Sequence, residues 1–570
     1  MDSPLTQLLR PDSFEPKIVQ LYLHLFNVLA NDDGDDVVPS EGFWREFFLL
    51  KPDKQRLYDI LAPMTAFDLL HLQAQTQAFF NRAVMEAGSG IAPGNENALE
   101  NLTAFLCAVF TKKYTNPNTD VIEVLAGLDA IDRLMSDLVQ SLESIIRQGG
   151  NETIRRSALH TTLAIVSGGF HTSLVSYFMH RDLFSALMKY IHDVQTPPAY
   201  GLDAAVVIGI LSCYNKFESQ NVYHNRLADF VNEDGIKLLV DNFATSCVEI
   251  RDQYVAVQDD YPTSWSISNT LAMVGFRGLS SNAKNPLPPS EEDAKRWFAS
   301  LPKENAACLL SLYSFASANK LFAANLVNVP AHKDKEPPLA AFLSSTSYVS
   351  HHAYRGPRQS THNLRKRLDV HLYGLALGIM LRIVTYLEQS KTRLHHHWAY
   401  IWGSLLSLMR FLTQYSEDLR HLRGIRDELC GTLASLAAFC LSKGDSFLPD
   451  PASFDDLFYK LIEANEVLSR FKQTYCDRSP QSDVLNTSVD ALINVSSHYH
   501  GLLNARQGKK THQSPAAIQK VIKEGYETLS LESDEGFGHW ERWRETNWKS
   551  ELKKMIRITV EDSRLLSLKR

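Results

Sequence analysis

One apolar pattern at helical spacing recurs along the whole chain and constrains its fold more than any other feature. In "IDRLMSDLVQSLESII", Ile131, Leu134, Met135, Leu138, Leu142 and Ile145 fall on a single helical stripe. The same four-point pattern returns at Phe184, Leu187, Met188 and Ile191, at Ile236, Leu239, Val240 and Phe243, and at Trp402, Leu405, Leu406 and Met409. The first three sets start 53 and 52 residues apart. A stack of helical hairpins or triplets gives such spacing, because each unit buries its stripe only against its neighbours. A fainter echo joins "LAIVSGG" (163–169) to "LAMVGFRG" (271–278), 108 residues on, or about two periods. Strand-like alternation is hard to find. The expected class is all-α, an armadillo/HEAT-like α-solenoid of stacked helical repeats, although helices of a non-repetitive bundle carry similar stripes.

A second feature tests that reading. "SALHTTLAIVSGGFHTSLVSYFMH", Ser157 to His180, has no acidic residue, Lys or Arg over 24 positions, in a chain where 22% of residues are charged. Its length exceeds the roughly 20 residues that a helix needs to cross a bilayer core. Seven of the 24 are nevertheless Ser or Thr, three are His (His160, His171, His180), and Gly168-Gly169 interrupts the middle. An integral membrane protein spanning through 157–180 is the alternative to two buried helices, the first ending at the glycines in left-handed geometry. The apolar runs 204–215 and 370–381 are 12 residues each and read as core helices.

The balance of charge, -7 with a pI near 6.3, gives no general attraction to nucleic acid. Seven cysteines without a C-x-x-C pair fit reduced thiols better than a disulfide framework or zinc. The start, "MDSPLTQLLRPDSFEPK", has acid and proline where a signal peptide carries a basic end and an apolar core. The chain is therefore expected on the cytosolic side, where its N-x-S/T matches have no glycosylation meaning.

Composition marks loops at 31–42, 86–98, 282–293, around 328–364 and at 505–515, with Asp445-Ser446 in a further loop. The expected organisation is an N-terminal armadillo-like array over 1–327, an irregular acid-poor linker over 328–364, and a C-terminal array over 365–570. The chain beyond about 516 is expected to supply one or two helices that cap the stack.

No constellation points to catalysis. "HRDL" (180–183) copies the start of a kinase catalytic loop, but Leu187 stands where that loop needs Asn, and neither a Gly-rich loop nor D-F-G accompanies it. Asp182 is better read as a helix cap. Consecutive side chains of "HHH" (395–397) point about 100° apart on a helix and cannot converge on one metal ion. The H-E-x-x-H, G-x-S-x-G and P-loop patterns are missing from the sequence. No catalytic residue, cofactor, metal or small-molecule substrate is expected.

The sharpest local charge feature runs from Pro337 to Leu368, which holds Arg355, Arg358, Arg365, Lys366 and Arg367 and no acidic residue. Each such charge near an anionic leaflet is worth roughly 1 kcal/mol, enough together for weak peripheral contact. Just upstream, Phe342-Leu343 is an apolar pair in a turn-rich stretch, readable as a partner anchor or as a buried plug. Trp398 and Trp402 form a second candidate partner surface.

Six stretches resemble the armadillo-like helical domain-containing protein 3 family: "GFWREFFLLK" (42–51), "LAGLDAIDRLMSDLVQSL" (125–142), "GLDAAVVIGIL" with "KFES" (201–219), "RLHHHWAYIWGSLLSLMRFL" (393–412), "GDSFLPDPASFDDLFYKLIE" (444–463) and "EGYETLSLESDEGFGHWERW" (524–543). They keep the family's order and cover nearly the whole chain. The resemblance implies a non-enzymatic scaffold, peripheral on the cytosolic face of the Golgi. It also implies binding to phosphatidylinositol 4-kinase beta in support of phosphatidylinositol 4-phosphate production. The basic run that the family carries after its "FL" pair is diluted here to "RGPRQSTHNLRKR", and the linker ahead of it is shorter.

Overall fold

The computed structural model describes residues 15–26, 39–148, 150–193, 196–218, 220–258, 306–328, 336–345, 370–396, 398–476, 484–507, 521–522 and 544–569. Among these residues every regular element is helical. The chain forms two compact units: Met1–Phe243, Leu301–Asn325 and Arg544–Arg570 make the first, and Ala244–Ser300 with Leu326–Trp543 make the second.

The stripes read from the sequence are the buried faces. Ile131, Leu134, Met135 and Leu138, then Phe184, Leu187, Met188 and Ile191, then Ile236, Leu239, Val240 and Phe243, and finally Trp402, Leu405, Leu406 and Met409 are all buried. The first stripe ends on Ile146 rather than Ile145, because from Leu142 the next position on the same face is four residues on.

In the first unit the helices lie in two stacked layers. Gln73–Gly88, Gly127–Gln148 and Phe184–His192 pack side by side in one layer. Gly94–Phe110, Glu152–Gly168, Pro198–Cys213 and Ala306–Ala318 pack in sequence in the other. The last long helix, Lys549–Ser563, lies across this second layer and touches Glu152–Gly168, Pro198–Cys213 and Ala306–Ala318. The second layer is thus a middle layer, covered on both sides.

That position explains the uncharged stretch. It is not one span: Glu152–Gly168 is followed by a short 3-10 turn, Ser173–Val175, and by Ser176–His180. No helix among the described residues is long and apolar enough to cross a membrane. Nearly all of Glu152–Gly168 is buried, and its hydroxyls are satisfied locally. Thr161 Oγ1 donates toward the Ser157 carbonyl at 2.9 Å, Thr162 toward Ala158 at 2.8 Å and Ser167 toward Leu163 at 2.7 Å. Buried polar side chains are tolerable when paired in this way.

The glycine pair acts through space more than through backbone freedom. Gly169 has φ −83°, so the expected left-handed end is not what is found. A Cβ on Gly168 would instead lie 2.4 Å from Cδ2 of Phe110, so only glycine lets the Glu152–Gly168 and Gly94–Phe110 helices approach this closely. Gly209 does the same for Pro198–Cys213, where a Cβ would fall 2.6 Å from the Ser311 backbone.

Several expected loops are shorter than their composition suggests. The 86–98 loop is only 89–93, because Gly94–Phe110 starts early and Asn97 is buried, donating from Nδ2 to the Phe48 carbonyl at 2.8 Å. Asp445 and Ser446 lie in the last turn of Gly431–Phe447 and not in a loop. The cap there is Asp450, which accepts from Ser453 N at 2.7 Å ahead of Pro451. Within the expected 328–364 linker, residues 338–345 form a helix. The 282–293 loop and "LAMVGFRG" lie outside the described residues.

The second unit repeats the layered plan. Val370–Ser390, Gly431–Phe447 and Val484–Gln507 pack in a row, and Trp398–Gln414 packs on Pro451–Glu463 and Asn465–Tyr475. The expected C-terminal cap is corrected for Lys549–Ser563, which completes the first unit and not the C-terminal array. Its apolar stripe finds a matching surface on the middle layer.

Candidate functional site

The Phe342-Leu343 pair sits on the helix over 338–345, which starts at a proline where the missing N–H costs nothing. Leu339, Ala340, Ala341 and Leu343 are buried, and half-buried Phe342 packs on the same core. Two polar ties hold this helix to Glu233–Gln258. Ser345 Oγ donates to the Cys247 carbonyl at 2.5 Å, and Arg251 Nη1 donates to Ser344 Oγ at 2.6 Å and to Glu336 at 2.9 Å. Burial works against the Arg251 charge, but Glu336 and Asp252 outweigh it and raise its pKa above the ordinary value. The turn-rich reading of this stretch is therefore corrected. Leu343 is a core residue, at 2% exposure, and only Phe342 retains accessible surface.

Trp398 and Trp402 are buried as well, at 2% and 1% exposure, so the expectation of a partner-facing pair is corrected to a packing role. Their rings stack at 5.4 Å, and Trp398 also meets Phe447 at 5.5 Å. Trp398 Nε1 donates to the Leu394 carbonyl at 3.0 Å and Trp402 Nε1 to the Ser453 carbonyl at 3.4 Å. Leu394 N in turn donates to the Phe447 carbonyl at 3.0 Å, and Arg393 Nη1 to the Leu448 carbonyl at 2.6 Å. Two of the stretches that carry the family resemblance, 393–412 and 444–463, thus meet in one packed joint. Aromatic periodicity alone could not separate this joint from a binding surface, since both use tryptophan.

The basic residues Arg355, Arg358, Arg365, Lys366 and Arg367 lie outside the described residues. His395 is exposed and His396 half-buried in an irregular turn before Trp398–Gln414, and His397 lies outside the described residues. No group of three or more His, Cys, Asp or Glu side chains that could hold a metal ion occurs among the described residues. Asp182 of "HRDL" lies one residue ahead of Leu183, which holds the cap position of Phe184–His192; Asp182 accepts from Phe184 N at 2.9 Å, and it also takes Arg226 Nε at 2.8 Å.

Sequence reasoning missed a polar seam in the first unit. Glu545, just ahead of the last long helix, accepts from Lys216 Nζ at 2.6 Å and from Tyr313 OH at 2.6 Å. Lys553 reaches Glu218 at 2.7 Å, and the Cys107 thiol donates to the Arg564 carbonyl at 3.4 Å. Burial pushes the Cys107 thiol up to about 11 and, ahead of the nearby Arg564, pulls His171 down. The only sequence signal was Lys216 closing an apolar run, which says nothing of a partner 329 residues away.

The layered helical stacks define an all-α solenoid of the armadillo-like type. Residues 359–565 match the family "Armadillo-like helical domain-containing protein 3, C-terminal". Similarity extends over nearly the full length of several relatives. A UPF0588 membrane protein of Schizosaccharomyces pombe is 24% identical, covering 94% of this chain and 95% of its own length. Armadillo-like helical domain-containing protein 3 of Danio rerio is 22% identical, covering 95% and 94%, and that of Homo sapiens is 21% identical, covering 93% and 91%. Residues 359–565 carry the family's C-terminal domain, and the chain is similar along nearly its whole length to armadillo-like helical domain-containing protein 3 of several animals. The similarity and the fold fit a helical scaffold.

Proposed function

We propose that the chain is a non-enzymatic adaptor, peripheral on the cytosolic face of the Golgi, that binds phosphatidylinositol 4-kinase beta and supports phosphatidylinositol 4-phosphate production and Golgi organisation. The observation that carries this reading is similarity to the family's members along almost the whole length of both chains, which favours a shared whole-molecule role. A stack of helices also suits an adaptor, because it presents long faces to partners without needing a cleft.

Within this reading, Arg355, Arg358, Arg365, Lys366 and Arg367 supply contact with the kinase or with anionic lipid, and Phe342 is the accessible apolar neighbour. Leu343, Trp398 and Trp402 hold the scaffold that carries them. The test is recovery of phosphatidylinositol 4-kinase beta from a lysate by the full chain and by a variant with all five basic residues changed to Glu. The wild-type chain should recover the kinase, and the variant at least about 10-fold less. No recovery by the wild-type chain would sink the kinase assignment. Carbonate extraction should release the chain from membranes, and retention in the pellet would instead favour an integral protein.

A further inference from the structure

The last long helix is placed like a ligand. Lys549–Ser563 buries one stripe, Leu552, Ile556, Thr559, Val560 and Ser563, while Met555 and Ile558 remain 40% and 46% exposed on its other side. The chain reaches it only after leaving the first unit at Asn325 and running through Leu326–Trp543 of the second unit. Its contacts are of the exchangeable kind. Acidic Glu545 docks on Lys216 and Tyr313 ahead of the helix, and Lys549 lies 5.8 Å from the Phe217 ring centre. At the rim, Lys553 pairs with exposed Glu218, and Ser567 sits 3.6 Å from Cys107. The fit is also incomplete, since Arg564 Nε is buried with no hydrogen-bond partner among the described residues.

We propose that the middle layer of the first unit is a helix-binding groove that the chain's own C-terminal helix occupies and closes, and that an amphipathic partner helix of the same chemistry exchanges with it. Such a partner carries an acidic residue ahead of its first turn to meet Lys216 and Tyr313. It presents apolar residues at i, i+4 and i+8, where Leu552, Ile556 and Val560 now lie, and small hydroxyl residues beyond them. Helix-in-groove recognition reads that spacing directly. A tethered helix competes with a free one at high effective concentration, so the groove stays closed until the tail is weakened or outcompeted. The proposal is independent of the kinase reading, which rests on another part of the chain.

Cys107 is a built-in reporter, because the tail covers its thiol. The full chain with Ile556→Asp and Val560→Asp should show maleimide labelling of Cys107 at least about 10-fold faster than wild type. Buried Cys440 of the second unit and the helical circular dichroism should stay unchanged. Adding a synthetic peptide of residues 544–570 should restore protection in the variant, and a peptide with Glu545→Lys should do so several-fold less well. Failure of the native peptide to bind or protect would overturn the proposal, as would equal Cys107 labelling in both chains.

Should the double variant lose its helical signal, Lys553→Glu at the exposed rim is the substitute. It should speed Cys107 labelling about 2- to 3-fold, with Glu218→Lys restoring the wild-type rate. No change with Lys553→Glu, or no rescue by Glu218→Lys, would equally overturn the exchange. Tail exchange between two copies, seen as a stable dimer of the wild-type chain in sedimentation, would replace the partner helix by a second copy and overturn the assignment as stated.

Discussion

Two helices of the first unit, in contact with each other, show two ways of being buried. Glu152–Gly168 is enclosed on nearly every side, whereas Lys549–Ser563 is held by one stripe and by charges at its ends and rim. An enclosed helix has no polar face to give to water, so its hydroxyls turn back onto its own carbonyls and glycine replaces bulk where a neighbour comes close. A one-sided helix keeps its exposed charges and relies on fewer contacts. The first is part of the framework, and the second is separable from it.

The largest effect should come from the framework. Asp203 and His160 are both buried between middle-layer helices, with His160 Nε2 3.6 Å from Asp203 Oδ2. Asp203→Ala should cost about 2 kcal/mol in a denaturant melt, as loss of a buried polar side chain and its contacts does. A loss under about 1 kcal/mol would show that the enclosed layer tolerates the change and would blur the comparison. Gly168→Ala should follow at about 2 kcal/mol, since its new methyl group meets the Phe110 ring. Pairing it with Phe110→Leu should return part of that loss in a double-mutant cycle, whereas strict additivity would break the close-approach argument.

The tail should respond differently. Ile556→Ala removes about 2 kcal/mol of burial, but the cost should fall locally. Hydrogen exchange of residues 544–569 should quicken while Glu152–Gly168 keeps its protection. Equal loosening of both helices would mean that the tail belongs to the framework.

The smallest effect is that of pH. His171 is held below its ordinary pKa by burial first and then by Arg564 and Arg557 of the tail, with Glu561 opposing them. A depressed histidine contributes stability in full above its unfolded value of about 6.5 and loses it as pH falls through the folded value. Mild acid should therefore loosen the tail before the framework, seen as faster amide exchange in 544–569 when compared at matched intrinsic rates. His171→Gln should flatten that dependence.

How much of this was readable beforehand differs from element to element. The stripes at Ile131, Phe184, Ile236 and Trp402 were legible because an amphipathic face repeats at 3.6 residues whatever it packs against. The helix start near Asp182 was legible because the bond between Asp182 and Phe184 spans two residues, although Leu183 holds the cap position. Phe342-Leu343 was misread as turn-rich because short Ser-rich and Pro-rich stretches look alike whether they end a loop or start a helix. Trp398 and Trp402 were ambiguous because a hot spot and a core use the same ring. The middle-layer role of Gly168 was half seen: the break was visible, but its cause, the Phe110 ring, lies 58 residues away in sequence.

By itself the sequence determined that this chain is a stack of amphipathic helices with an uncharged stretch enclosed among them, and it carried the resemblance to the family. Those are properties of local spacing and composition, which the backbone imposes within a few residues. Only the tertiary structure decided which helix is covered on two faces, that the tail returns to the first unit, and that Glu545 meets Lys216. Such choices depend on which apolar surfaces are left open once the layers have stacked. Nothing within reach of either residue in the chain encodes that pairing.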